Sequence, residues 1–175
     1  MLAFELKVRI KNKGGKDMKS TRVFSRIALI AIAIGFFSLS AAAQEKKITA
    51  KQVPAAVITA FKNSYPNATI RGYAQEKEKG KVFYEIESRE GTTKRDILYT
   101  ADGTVAEIEE SIAVTDLPAA AQESIHQKYP RAVISIAEKT TAGEKISYEV
   151  AARQGRKRIS MEFDAAGKVL SSKVR

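Results

Sequence analysis

Apolar residues along this chain follow two periods in turn. At Val53, Ala56, Val57, Ala60 and Phe61 they recur at i, i+3, i+4, i+7 and i+8, one stripe of an amphipathic helix. The same spacing returns at Leu117, Ala120, Ala121, Ser124 and Ile125. Pro54 and Pro118 stand in the first turn, where a missing N–H costs nothing. Tyr65-Pro66 and Tyr129-Pro130 end the helices, because the residue before proline is pushed out of the α region. Asp116 is the expected cap of the second helix. After each helix the period falls to two. Ala68, Ile70 and Gly72 alternate with Thr69, Arg71 and Tyr73, and Ala132, Ile134 and Ile136 alternate with Val133, Ser135 and Ala137. Charged turns at Glu76–Gly80 and Thr140–Glu144 lead into strands that place Val82, Tyr84 and Ile86, or Ile146, Tyr148 and Val150, on one face. Arg89-Glu90-Gly91 and Arg153-Gln154-Gly155 read as hairpin turns. A third strand carries Ile97 and Tyr99 in one copy and Ile159, Met161 and Phe163 in the other. Turns at Ala101-Asp102-Gly103 and Ala165-Ala166-Gly167 open a short last strand at Val105 and Val169.

The two patterns are one pattern repeated at a spacing of 64 residues, with about fifteen identities over some sixty positions and no gap. The expected fold class is therefore α+β, as two tandem repeats, residues 53–115 and 116–175. Each is one helix packed on a four-stranded antiparallel sheet. The repeats join edge to edge into one broad sheet or pack face to face. An isolated unit of about 60 residues is marginal, so each is expected to stabilise the other.

The segment before the repeats reads as an address. Met18-Lys19-Ser20-Thr21-Arg22 and Arg26 form a basic n-region, Ile27–Leu39 an apolar run, and Ser40-Ala41-Ala42-Ala43 a small-residue cleavage site. The alternative, a membrane-spanning helix, needs about 20 apolar residues, more than this run supplies. Residues 18–43 are accordingly read as a signal peptide cleaved near Ala43, and 1–17 as a mis-assigned leader with translation starting at Met18. Residues 44–52 are read as a polar tether. The product is expected in the periplasm or outside the cell, touching a membrane only through the uncleaved signal.

Composition narrows the chemistry. There is no cysteine, which excludes disulfides, thiolate metal sites and a lipid-anchoring Cys. The net charge of +10 belongs mostly to the address, because residues 44–175 hold 22 basic and 18 acidic groups. No basic stripe marks a nucleic-acid surface. The one histidine, His126, falls on the polar side of the second helix, which rules out the usual zinc sets and an inward-facing triad. Asp102-Gly103 matches one fragment of a calcium loop without its other ligands. Glu85 and Glu149 recur in register on the face opposite the core. Paired carboxylates can do acid–base work, but cross-strand pairing with Lys or Arg is the expectation. No enzymatic activity, cofactor or metal is expected.

Two surface features stand out. Tyr73, Phe83 and Leu98 are assigned to the open face of the first sheet, where the second repeat has Ala137, Ser147 and Glu162. Large apolar groups there either bind a partner or pack against the other repeat. Arg153, Arg156, Lys157 and Arg158 form the dense basic cluster, read as a solvated hairpin or as a contact for anionic envelope ligands.

Leu117-Pro118-Ala119-Ala120, Tyr129-Pro130, Tyr148-Glu149-Val150 and Asp164-Ala165-Ala166-Gly167-Lys168-Val169 resemble the PepSY-like family of exported bacterial proteins, similar in fold to the β-lactamase inhibitor proteins. The first repeat matches with Val53-Pro54-Ala55-Ala56, Tyr65-Pro66, Tyr84-Glu85-Ile86 and Ala101-Asp102-Gly103-Thr104-Val105. The resemblance covers 53–175. It implies a non-enzymatic periplasmic module that binds an exported or envelope protein, by analogy as an inhibitor or modulator of an exported hydrolase. Inhibitors of that fold carry disulfides, which this chain lacks, so any inhibitory loop here is held by packing alone.

Overall fold

The computed structural model describes residues 44–175, Lys79 excepted. The leader, the signal segment and the cleavage site at Ala43 lie outside the described residues. Helices α1 (Ala55–Ser64) and α2 (Ala119–Lys128) begin directly after Pro54 and Pro118 and stop at Tyr65 and Tyr129. The proline carbonyls accept the first turn's hydrogen bonds, from Val57 N at 3.0 Å and from Ala121 N at 2.9 Å. Asp116 does not cap α2. It closes a preceding 3-10 turn, Val114–Asp116, where its carboxylate accepts from Ala113 N at 3.3 Å. The bend between that turn and Pro118 carries Asp116 away from the helix N-terminus.

Nine strands form one antiparallel sheet in sequence order. They are β1 (Gln44–Lys47), β2 (Thr69–Glu78), β3 (Lys81–Glu90), β4 (Thr93–Tyr99), β5 (Val105–Ser111), β6 (Val133–Ala142), β7 (Lys145–Gln154), β8 (Lys157–Asp164) and β9 (Val169–Val174). The two meanders meet edge to edge through β5 and β6, in the register Ile108↔Thr141 to Ser111↔Glu138. Residues 44–52 are not a free tether: Gln44–Lys47 pairs with Ala74–Lys77 and covers the β2 edge. Strands β2 and β6 also run through Glu78 and Ala142, past the residues expected to turn, because Glu76–Glu78 and Thr140–Ala142 continue the ladder with β3 and β7.

Both helices lie on the same face. Directly opposed residues share a face, and the row Ile86↔Ile97↔Ile108↔Thr141↔Ile146 runs from the first unit into the second. One core gathers Val53, Val57, Phe61, Ile86, Ile97 and Tyr99 under α1. The other gathers Leu117, Ala121, Ile125, Val150, Met161 and Phe163 with their neighbours under α2. Gly103 and Gly167 seat the β4–β5 and β8–β9 turns against the helix starts. Their φ angles are +87° and +83°, and a Cβ would fall 2.8 Å from the Ala56 carbonyl oxygen or 2.7 Å from the Ala121 nitrogen. Only glycine fits that conformation at that distance.

Each unit also carries matching bulges. The register slips between Ile70 and Gly72 and between Ile134 and Ile136, and again between Leu98 and Tyr99 and between Glu162 and Phe163. A bulge adds one residue to one strand and so exchanges faces beyond it.

Candidate binding face

No described helix or strand covers the second face of the sheet. Its side chains can be read from the register. Across β1 to β3 come Lys47, Ala74 and Glu85 in one row and Glu45 and Glu76 in the next. Glu85 faces Leu98 on β4, which faces Glu107 on β5. The neighbouring row is Glu87, Asp96, Glu109, Thr140, Ser147 and Asp164. The next is Ser111, Glu138, Glu149, Glu162 and Ser171. Two consecutive rows thus set three carboxylates directly opposite one another. Opposed Cβ atoms in such a ladder stand about 4.5–5.5 Å apart, a spacing at which like charges destabilise the sheet.

The electrostatics follow from that crowding. Glu85 is 7% exposed. Burial, then Asp96, Glu76, Glu45 and Glu87, push its carboxyl up to about 8. Burial raises Glu109 to about 9, with a hydrogen bond to Glu138 and the charges of Glu138, Asp96 and Glu149 adding to it. Glu107 is raised by burial and by Glu76 and Glu78, with Lys145 opposing. Ser160 Oγ donates to Glu149 Oε1 at 3.3 Å. In the register, the residues directly opposite these two expected pairing positions are not Lys or Arg. Opposite Glu85 stand Ala74 and Leu98, and opposite Glu149 stand Glu138 and Glu162.

The apolar trio divides. Phe83 and Leu98 lie on the open face, both half-buried. Tyr73 does not: it is opposite Ile86 and packs against the α1 core. The bulge after Ile70 adds Arg71 to the strand, so Ile70 and Tyr73 both point inward although they are an odd number of positions apart. The same bulge in the second unit turns Ala137 into the α2 core and leaves Ile136 45% exposed on the open side. A slip of this kind leaves no mark in an alternating pattern.

Arg153, Arg156, Lys157 and Arg158 are all exposed on the β7–β8 hairpin. Arg153 faces Arg158, and Arg158 exchanges backbone hydrogen bonds with Arg175 at 2.8 and 2.9 Å. Arg153, Arg158 and Arg175 therefore form one basic row on the open face, two rows beyond Glu149. Reading the sequence left out Arg175 and the acidic rows. The acidic rows did leave a trace: Glu76-x-Glu78, Glu85-x-Glu87 and Glu107-x-Glu109 keep the strand period on the positions that alternate with the core. His126 is exposed on α2.

A duplicated helix-and-meander unit, fused through its edge strands and bare on one face, defines an open-faced α+β scaffold. The chain belongs to the family described as "Putative beta-lactamase-inhibitor-like, PepSY-like", whose profile matches twice, at residues 40–107 and 84–171. Solved structures share the fold. One is described as a "putative periplasmic" protein of Bacteroides eggerthii, at 17% identity and TM-score 0.57, covering 70% of this chain and 88% of that one. A BLIP-like protein of Bacteroides fragilis has 22% identity and TM-score 0.53, covering 69% and 86%. A DUF2874 family protein of Bacteroides uniformis has 13% identity and TM-score 0.55, covering 69% and 88%. At these identities the likeness is one of fold. The chain matches no curated protein.

Proposed function

We propose that the protein is a non-enzymatic, exported module that binds another protein through the open face of its sheet. The observation that carries this reading is the face itself: nine strands wide, left uncovered by both helices, and holding half-buried Phe83 and Leu98 beside buried polar groups. An uncovered sheet face with apolar groups inside a polar surround suits a protein partner. Export is supported by the basic, apolar and small-residue segments of residues 18–43 and by the periplasmic description of one fold neighbour. The family description favours an inhibitor or modulator of an exported hydrolase as the specific form. The test is affinity capture from periplasmic extract, with the protein run beside a Phe83→Ala, Leu98→Ala variant whose melting curve shows that it folds. A protein held by the parent and lost by the variant supports the reading. Equal retention of every captured protein rejects it.

A second reading has its own observation, the Arg153, Arg158 and Arg175 row with Arg156 and Lys157 beside it. It suits anionic polymers of the cell envelope. Polyphosphate is then expected to raise the melting temperature, and Arg156→Ala with Arg158→Ala to remove the rise. No shift with polyphosphate excludes it.

A further inference from the structure

We propose that the outer edge of β9 is a docking site for a second copy of this chain, whose β2 edge it takes in place of that copy's own β1. The surface is a sheet edge, so the proposal goes beyond the open-face reading and does not depend on it. Three observations carry it. The first is a joint that the molecule makes twice. β1 holds β2 in the register Gln44↔Lys77 to Lys47↔Ala74, and β5 holds β6 in the register Ile108↔Thr141 to Ser111↔Glu138. Each residue of one ladder lies 64 positions from its counterpart in the other. The bond that closes each ladder keeps the same shift: Ile48 N donates to the Tyr73 carbonyl at 3.0 Å, and Ile112 N to the Ala137 carbonyl at 2.9 Å. So do the 3-10 turns that follow, Ala50–Gln52 and Val114–Asp116. β1 thus does for β2 what β5 does for β6. β9 is the next strand of this type, with Val169 standing 64 positions after Val105, and no described strand lies on its outer edge.

The second observation is where the β9 backbone points. Arg175 exchanges both its hydrogen bonds with Arg158. Peptide groups of an antiparallel strand alternate between its two sides, so those of Ser172 and Val174 face outward. Their counterparts in β5, Ile108 and Glu110, are the ones that face β6. An open edge of this kind is a template for another strand. The third observation is charge. In the shared register Ser172, Lys173, Val174 and Arg175 stand opposite Lys77, Glu76, Gln75 and Ala74 of the second copy. β1 sets Glu45 opposite Glu76, whereas β9 sets Lys173 there. Opposite charges across a ladder stabilise it and like charges weaken it. Both ladders span four residue pairs, so displacing β1 exchanges backbone hydrogen bonds one for one and leaves the side chains to decide. A symmetric β9–β9 pairing would bring Lys173 and Arg175 against their own kind. The units share this bias: residues 53–115 hold 8 basic and 10 acidic groups and residues 116–175 hold 11 and 7, so a head-to-tail contact joins unlike ends. Such a contact is heterologous and, repeated, extends the sheet from copy to copy.

The test uses the chain's lack of cysteine. Signal-free protein, residues 44–175, is made as two single-cysteine variants, Val174→Cys and Gln75→Cys, which are mixed and oxidised. These positions face each other in the proposed register, where Cα atoms stand about 5.5 Å apart, a span that a disulfide bridges. The melting temperature of each variant checks that it folds. The expected product is the mixed disulfide, in excess over the share that random pairing gives. Lys46→Pro in the Gln75→Cys copy removes an N–H that β1 directs at β2 and so frees the β2 edge; it is expected to raise the mixed product further. Random shares of the three disulfides, both with and without Lys46→Pro, overturn the proposal. So does an excess that Lys46→Pro leaves unchanged, because the β2 edge is then not the part that docks. Neither result touches the Phe83 and Leu98 capture experiment, so the two readings fail separately.

Discussion

Where the first unit buries Tyr99, the second buries Phe163, and other large core pairs differ as little: Phe61 against Ile125, Ile86 against Val150, Ile97 against Met161. On the open face the same 64-residue correspondence sets Phe83 against Ser147, Leu98 against Glu162, Ala74 against Glu138 and Glu87 against Ala151. The large central core pairs have kept their apolar character and much of their size, Tyr73 against Ala137 and Val57 against Ala121 being the exceptions, and the open face has changed its chemistry. The reason is packing. A core position under a helix must be filled at nearly constant volume, or it leaves a cavity or a clash. An uncovered position has no such neighbour and can diverge between units without loss of the fold. The open face is thus where the two halves of this protein become different from each other, and where a binding surface can be written onto a duplicated scaffold.

Truncating the cores tests this comparison most severely. Phe61→Ala, at a side chain 1% exposed, is expected to cost about 3–5 kcal/mol. Ile125→Ala, at the equivalent place, is expected to cost about 2–5 kcal/mol. Urea denaturation measures both. Since the units share one sheet through β5 and β6, either substitution should move a single transition; two separated transitions would show that the units are independent.

The open face is sharpened by pH. Glu85 has its folded value raised from 4.5 to about 8, so the folded state holds a proton that the unfolded chain releases between those values. Its contribution to stability is fully present below about pH 4.5 and is lost as pH rises toward about pH 8, by up to about 1.4 kcal/mol per pH unit. Glu109 adds a loss of the same sign up to about pH 9. Urea midpoints taken across this range should fall with pH in the parent. In Glu85→Gln the fall should be shallower; an unchanged slope would mean that Glu85 is not the proton holder.

The smallest effect separates Tyr99 from Phe163. The Tyr99 hydroxyl is buried without a hydrogen-bond partner among the described residues, and burial together with Tyr65 pushes it up to about 12. Tyr99→Phe copies the second unit and is expected to stabilise by about 1 kcal/mol. Phe163→Tyr, the reverse exchange, is expected to destabilise. Thermal melting of the pair decides the matter, and a loss of stability in Tyr99→Phe would show that the hydroxyl is bound.

The sequence by itself determined the units: two helices started by proline and stopped at Tyr-Pro, two four-stranded meanders, and the glycines at 103 and 167 that let a turn touch a helix. Those features are local, set by periodicity and by backbone preferences within a few residues. It also placed Phe83, Leu98, Glu85 and Glu149 on the face away from the helices. The tertiary structure decided what depends on pairing at a distance. Joining β5 to β6 made one sheet of two and chose edge-to-edge packing over face-to-face. Pairing Gln44–Lys47 with β2 turned an expected tether into an edge strand. The bulge at Arg71 reversed Tyr73, because one extra residue in a strand exchanges its faces and no alternation of residue types records where that residue sits. The carboxylate rows arose in the same way: each acid was visible in its own strand, but only the register across seven strands brought them together.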